Sequence, residues 1–128
     1  HLSALLIDVD GFKTVNDTLG HAVGDEVLIR TARSIRESVR NDAIVARWGG
    51  EEFLMVDRMA TDQAAVVAER IRAAVSATGD PTVTVSIGVA TCRPSGSDLR
   101  EMIEAADAAM YDAKATGGNR VVLAESVR

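Results

Sequence analysis

The sequence predicts an α+β fold in which helices cover a mainly antiparallel central sheet. Three observations carry that expectation. Strand-like and helix-like stretches follow one another in the order β-α-β-β-α-β-α-β over a single domain, residues 1–128. Two strand-like runs flank Gly49-Gly50, a hairpin signal, because glycine tolerates positive φ. Three stretches repeat apolar residues at helical steps of three and four.

In chain order, Ala4 to Val9 is apolar and branched, as a buried strand requires. Gly11 to Gly20 is short, polar and bounded by glycines, which fits a loop or short helix. From about Asp25 to Val39, Leu28, Ala32, Ile35 and Val39 share one helical face. Ala43 to Trp48 and Glu52 to Asp57 are the hairpin strands. A second helix is expected from about Asp62, read as its N-cap, to Ser76, with Ala64, Ala68, Ile71 and Val75 inward. Thr82 to Val89 alternates Val83, Val85, Ile87 and Val89 with Thr82, Thr84, Ser86 and Gly88, the pattern of a half-buried strand. A loop at Arg93 to Gly96 precedes a third helix, Asp98 to Ala115, whose face is Leu99, Ile103, Ala106, Met110 and Ala113. Gly117-Gly118 stops it, and Val121 to Ala124 is a last strand. Trp48 and the methionines are read as packing residues.

Composition narrows the function. Hydrophobic residues make up 47% and charged residues 26%, the balance of a soluble globular domain. No apolar run approaches the ~20 residues of a membrane-spanning helix. Lys and Arg number 14 against 19 Asp and Glu, a net charge of −5, which argues against nucleic-acid polymers and anionic membranes. It does not argue against a nucleoside triphosphate that arrives with metal ions. Cys92 is the only cysteine, so an intrachain disulfide or a multi-cysteine zinc site is excluded and a reduced, cytoplasmic setting is expected. The chain opens at His1 beside a strand, as a piece of a longer, conceivably membrane-tethered protein would.

The acids carry the chemistry. Asp8 and Asp10 fall at the end of the first strand; Glu51 and Glu52 fall at the hairpin. If the first strand pairs beside the hairpin, these carboxylates converge and repel. A hard divalent cation such as Mg²⁺ or Mn²⁺ removes the conflict and takes phosphate oxygens as its other ligands. That reading points to metal-assisted phosphoryl chemistry. Spacing alone equally allows solvated turn acids. Gly11-Phe12-Lys13 could offer backbone N–H groups and a cation to phosphates. Asn16 and Asp25 could read guanine, or serve as a turn residue and a helix cap. His21 fits a turn or packing residue as well as a substrate contact.

Five ordered blocks resemble the GGDEF family of diguanylate cyclases. They are Asp8-Val9-Asp10-Gly11-Phe12-Lys13; Asn16-Asp17-Thr18 leading to Gly20-His21 and Gly24-Asp25; Arg47-Trp48-Gly49-Gly50-Glu51-Glu52-Phe53; Thr84 to Ala90; and Ala106-Asp107 through Tyr111-Asp112-Ala113-Lys114. The family's N-terminal helix has no counterpart here. The resemblance implies a palm-like fold, as in nucleotidyl cyclases and polymerases, with a ferredoxin-like core. It implies condensation of two GTP into cyclic di-GMP, with two metal ions, Mg²⁺ or Mn²⁺, per site. Asp8, the Val9 carbonyl and Glu51 would hold metal, with Glu52 beside them. Glu51 would take the proton of the attacking 3′-hydroxyl, and Lys13 would stabilise transition-state charge. Phe12 and Lys114 would meet phosphates, and Asn16, His21 and Asp25 would surround guanine. The two-fold product implies a C2 homodimer, and an N-terminal sensory or regulatory domain is expected. Two positions depart from the family pattern. Gly118 stands where an arginine usually reaches the phosphates, with Arg120 two residues on. Ala43 replaces the aspartate of an Arg-x-x-Asp product site that begins at Arg40. The alternatives are a catalytically silent GTP-binding regulatory domain and, less in keeping with the acids present, a dimerisation module.

Overall fold

Strand β1 (Leu2–Val9) is the middle of the sheet and is buried on both faces. Its alternate residues enter different cores. Leu5, Ile7 and Val9 join Val27, Ile35, Ala68 and Ile71, whereas Ala4 and Leu6 join Met102, Ala106 and Met110. The computed structural model that shows this describes residues 1–77, 79–93 and 99–125.

The remaining elements are α1 (Phe12–Leu19), α2 (His21–Ser38), β2 (Ile44–Arg47), β3 (Glu52–Asp57), α3 (Thr61–Ser76), β4 (Val85–Cys92), α4 (Leu99–Ala115) and β5 (Arg120–Leu123). The strand order is β2-β3-β1-β4-β5. All pairings are antiparallel except β4 with β5, which α4 joins as the crossover a parallel pair needs. Helices α2 and α3 cover one face and α4 the other. The expected α+β class therefore holds. Among the described residues no helix is long and apolar enough to cross a membrane.

Several local expectations are corrected. The fourth strand starts at Val85 and runs to Cys92, and it is covered on both faces rather than half-buried. Gly88 makes that cover possible. A Cβ there would lie 2.0 Å from the Ala106 carbonyl oxygen and 2.3 Å from the Met110 nitrogen, so the α4 backbone rests directly on the strand. Helix α2 begins at His21, which places Asp25 inside the helix and not at its cap. The N-cap of α3 is Ala60, whose N–H donates to Gln63 Oε1 at 3.1 Å; Asp62 lies in the first turn. Trp48 and Leu99 are about half exposed, not packed inward. Neither Gly49 nor Gly50 has positive φ, so the hairpin does not use their left-handed freedom. Of the loop expected at 93–96 only Arg93 is described, and the start of the third helix at Asp98 lies outside the described residues.

Candidate active site

The sheet itself brings the acids together. Asp8 sits one residue from the end of β1, with Glu52 as its Cα partner on β3 and Ser86 on β4. The Val9 N–H donates to the Glu51 carbonyl at 3.3 Å, which ties the hairpin tip to the strand end. Arg47 closes the hairpin, its Nε donating to the Gly49 carbonyl and its Nη2 to the Gly50 carbonyl. These acids therefore stand apart from ordinary solvated turn residues; Asp8 is only 6% exposed.

The last turn of α4 supplies the counter-charge. Lys114 Nζ lies 2.9 Å from Asp8 Oδ1 and 3.4 Å from Asp10 Oδ1. Asp8 Oδ1 is buried and meets the ammonium as an ion pair. Burial and its carboxyl contact with Asp8 push Glu51 up to about 7. Burial, then the charges of Asp8 and Asp107, also raise Glu52. Burial opposes the charge on Lys114, but Asp8 and Asp10 outweigh it and hold the ammonium above its usual value.

Among the described residues, no three His, Cys, Asp or Glu side chains form a ready-made metal cage. The donors present nevertheless fit a hard cation. Asp8 Oδ1 is buried with only the Lys114 ammonium against it, and Asp8 raises Glu51 on top of burial, a conflict that a divalent ion removes. Mg²⁺ commonly needs only one or two carboxylates when phosphates and waters complete its shell.

Beyond β1 the chain turns sharply. Gly11 adopts φ 66° and α1 begins at once with Phe12, which is buried against the core. No side chain caps this helix, so its first N–H groups lack both intrahelical and side-chain partners. Such an end suits phosphate. Gly20, at φ 91°, separates α1 from α2. Asn16 then lies on the bare Cα of Gly24, where a Cβ would come within 1.8 Å of its Oδ1. Asp25 and His21 are exposed on α2, the former adjacent to that contact.

Asp8, Glu51, Glu52 and Lys114 are thus gathered at one end of the sheet, and Asn16 is packed against the helix carrying Asp25. Lys13 is not gathered with them. Its side chain is 92% exposed, 3.9 Å from Asp17. A cleft of about 800 Å³ flanks Glu52 and is lined by Trp48, Leu99, Ile103 and Asp107. Another, of about 540 Å³, is lined by Arg40, Asp57 and Arg70 and touches none of the acids at the sheet end.

Residue-by-residue reading missed the residues that hold Asp10. Thr84 Oγ1 donates to its Oδ2 at 2.7 Å, Ser86 Oγ to its Oδ1 at 2.6 Å, and the Asn119 N–H to its Oδ2 at 2.8 Å. The available signal was the polar row Thr84 and Ser86 on a strand that proves buried on both faces. Gly118, at φ 71°, belongs to the same turn, and a Cβ there would lie 3.0 Å from Asp10 Oδ2. Arg120 Nε donates to the Gly118 carbonyl, so that guanidinium folds over the turn.

Known proteins share this sequence pattern and fold. The family model described as "Diguanylate cyclase, GGDEF domain" matches residues 1–120. Diguanylate cyclase A of Treponema denticola is 42% identical over 98% of this chain and 36% of its own length. Diguanylate cyclase DgcM of Escherichia coli is 47% identical over 95% of this chain and 30% of its own. The GGDEF domain of DgcB from Caulobacter crescentus, solved in complex with c-di-GMP, superposes with a TM-score of 0.89 at 38% identity, covering 98% of this chain and 78% of that one. The chain spans about a third of the length of the curated relatives it matches. Sequence, fold and the acids at the strand ends agree, and this chain belongs to the GGDEF family of diguanylate cyclase domains.

Proposed function

We propose that this domain condenses two GTP molecules into cyclic di-GMP and two pyrophosphates. The observation that carries the proposal is the carboxyl pair Asp8 and Glu51 at the sheet end, with Glu51 held near 7 and Lys114 beside it. In each half-reaction a ribose 3′-oxygen forms a bond to the α-phosphorus of the other nucleotide, and the bond to the leaving pyrophosphate breaks. The hydroxyl proton goes to Glu51, whose raised value suits a base working near neutral pH. Asp8, the Val9 carbonyl and Glu51 would hold Mg²⁺ or Mn²⁺, two ions per site, with Glu52 beside them. When bound, such ions neutralise the triphosphate and acidify the attacking hydroxyl.

The chain's own residues do the rest. The uncapped α1 N-terminus at Gly11-Phe12 receives phosphate oxygens, and Lys114 neutralises them. Lys13, exposed and loosely held, is free to swing toward developing charge. Asn16 and Asp25 read the guanine edge, with His21 nearby, and the wrong base leaves these polar groups unpaired. One domain offers one nucleotide, so a second copy related by a C2 axis completes the reaction. An N-terminal regulatory domain preceding this one is part of the same proposal.

Incubating the full-length protein with GTP and Mg²⁺ tests the reading. Cyclic di-GMP and pyrophosphate in a 1:2 ratio are expected. GTP binding without product would favour the second reading, a silent GTP-binding regulatory domain. Gly118 favours that reading, because it offers no cation where relatives in the family usually carry one.

A further inference from the structure

The proposed mechanism gives Asp10 no role as ligand or base, yet it is the most heavily held carboxylate at the sheet end. Its two oxygens accept from Thr84, Ser86 and the Asn119 backbone, all at 2.6–2.8 Å, and its own N–H donates to the Thr84 carbonyl at 2.9 Å. Asn119 is itself fixed by Arg72, whose Nη1 donates to its Oδ1 at 2.7 Å, and Arg72 is anchored on Glu69. Gly117, Gly118 and Asn119 all take positive φ, so the α4–β5 turn curls around this carboxylate. The remaining partner of Asp10 is Lys114, 3.4 Å away. A lysine is a point charge on a flexible four-carbon stem, and without a second anchor it has nothing to set its position between Asp8 and incoming phosphates.

We propose that Asp10 is a positioning residue for Lys114, acting on the triphosphate only through that ammonium. The inference rests on the reading of Lys114 as a phosphate contact. Both Asp10 oxygens accept from donors, and Oδ1 also faces the Lys114 ammonium, the surroundings a carboxylate takes. An ionised carboxylate close to a triphosphate repels it. If repulsion were its only effect, removing the charge would tighten binding. Positioning predicts the opposite sign.

The experiment measures binding of the α,β-methylene analogue of GTP, with Mg²⁺, to the full-length protein and to Asp10→Asn, Lys114→Met and the double variant. Asp10→Asn should weaken the analogue about 3- to 10-fold, a loss on the scale of one charge-assisted contact. Guanosine, which has no phosphate and is measured by competition, should change less than twofold. In the Lys114→Met background Asp10→Asn should cause no further loss, and relief of repulsion should show as equal or tighter binding. The inference is overturned if Asp10→Asn alone leaves analogue affinity equal or tighter, weakens guanosine as much, or keeps its full effect without Lys114. If Asp10→Asn does not fold, Thr84→Val, which removes one donor to Asp10, decides by the same criteria with an expected two- to threefold loss. Failure of the underlying reading looks different: Lys114→Met alone would then leave the analogue's affinity unchanged.

Discussion

Gly24→Ala separates guanine recognition from stability. The new Cβ would meet Asn16 Oδ1 at 1.8 Å and Cγ at 2.9 Å, with Phe12 Cζ at 3.4 Å. An ordinary carbon–oxygen contact needs about 3.3 Å, so the amide must retreat by about 1.5 Å. The obstacle is the end of a side chain, not backbone, and rotating it costs about 0.5–1.5 kcal/mol. Replacing glycine by alanine inside α2 returns about 1 kcal/mol of helix propensity. These terms nearly cancel, so Tm should stay within about 4 °C of wild type. Nucleotide binding should not survive as well. If Asn16 reads guanine as proposed, displacing it leaves a guanine edge unpaired, a loss of about 10-fold in GTP affinity. ATP affinity should barely change, so the GTP preference falls with it, and Asn16→Ala should reproduce the result. Calorimetric titration with non-hydrolysable GTP and ATP analogues, beside thermal unfolding, decides the matter. A folded Gly24→Ala that keeps GTP affinity and GTP/ATP preference within twofold would show that Asn16 does not read guanine.

Glu51→Gln should fold normally and, if Glu51 is the base and metal ligand proposed above, lose at least about 10²-fold in turnover; near-wild-type production of cyclic di-GMP would sink that assignment. Arg40 is engaged by Asp57, with contacts of 2.7 and 3.0 Å, and Ala43 is buried in the core, so the guanidinium is already taken and the residue three positions on offers product no acceptor. Added cyclic di-GMP should therefore inhibit weakly, and Arg40→Ala should alter that inhibition less than twofold; strong inhibition that disappears in Arg40→Ala would refute this. Asp10 has a depressed value when folded, so its contribution to stability is present above the unfolded value of 3.8 and is lost as pH falls through the folded one. Asp10→Asn should accordingly lose less stability than wild type between pH 5 and pH 3 by thermal unfolding, and equal losses would count against an ionised Asp10.

Elements with strong periodicity were legible in the sequence, and their termini less so. The face of α3 is the one that the apolar spacing marks, whereas on α2 Leu28 and Ile35 are buried as marked but Val27 and Thr31 join them, Ala32 is only partly covered and Val39 falls beyond the helix. The alternation across Thr82–Val89 misled, since polar residues on a strand usually face water. Here Thr84 and Ser86 face Asp10, and Gly88 admits a helix backbone. Leu99 and Trp48 misled in the other direction, being apolar yet about half exposed beside the Glu52 cleft. At the site, Asp8, Glu51 and Glu52 could be paired as soon as β1 was placed beside the hairpin. Lys114 could not be reached by spacing alone, because it is more than a hundred residues from Asp8. Only the crossover that seats β5 beside β4 carries the end of α4 to that place.

The same topology explains why the acids cannot avoid one another. Asp8 and Glu52 are Cα partners in a ladder, and the Val9 N–H is bonded to the Glu51 carbonyl, so the backbone holds these residues together and only side-chain rotation can part their carboxylates. A surface loop would simply let them swing apart. The cost appears as the raised Glu51 and Glu52 values, set first by burial and then by Asp8, with Lys114 compensating only in part. A ligand that binds the folded state alone stabilises it in proportion to the logarithm of its concentration. Bringing divalent charge to this pair should consequently raise the unfolding temperature. The rise should be smaller in Asp8→Asn, where half of the pair that needs neutralising is gone. Placing acids side by side on paired strand ends thus couples the stability of the fold to occupancy of the site, and the backbone pairing that builds the sheet is what keeps them neighbours.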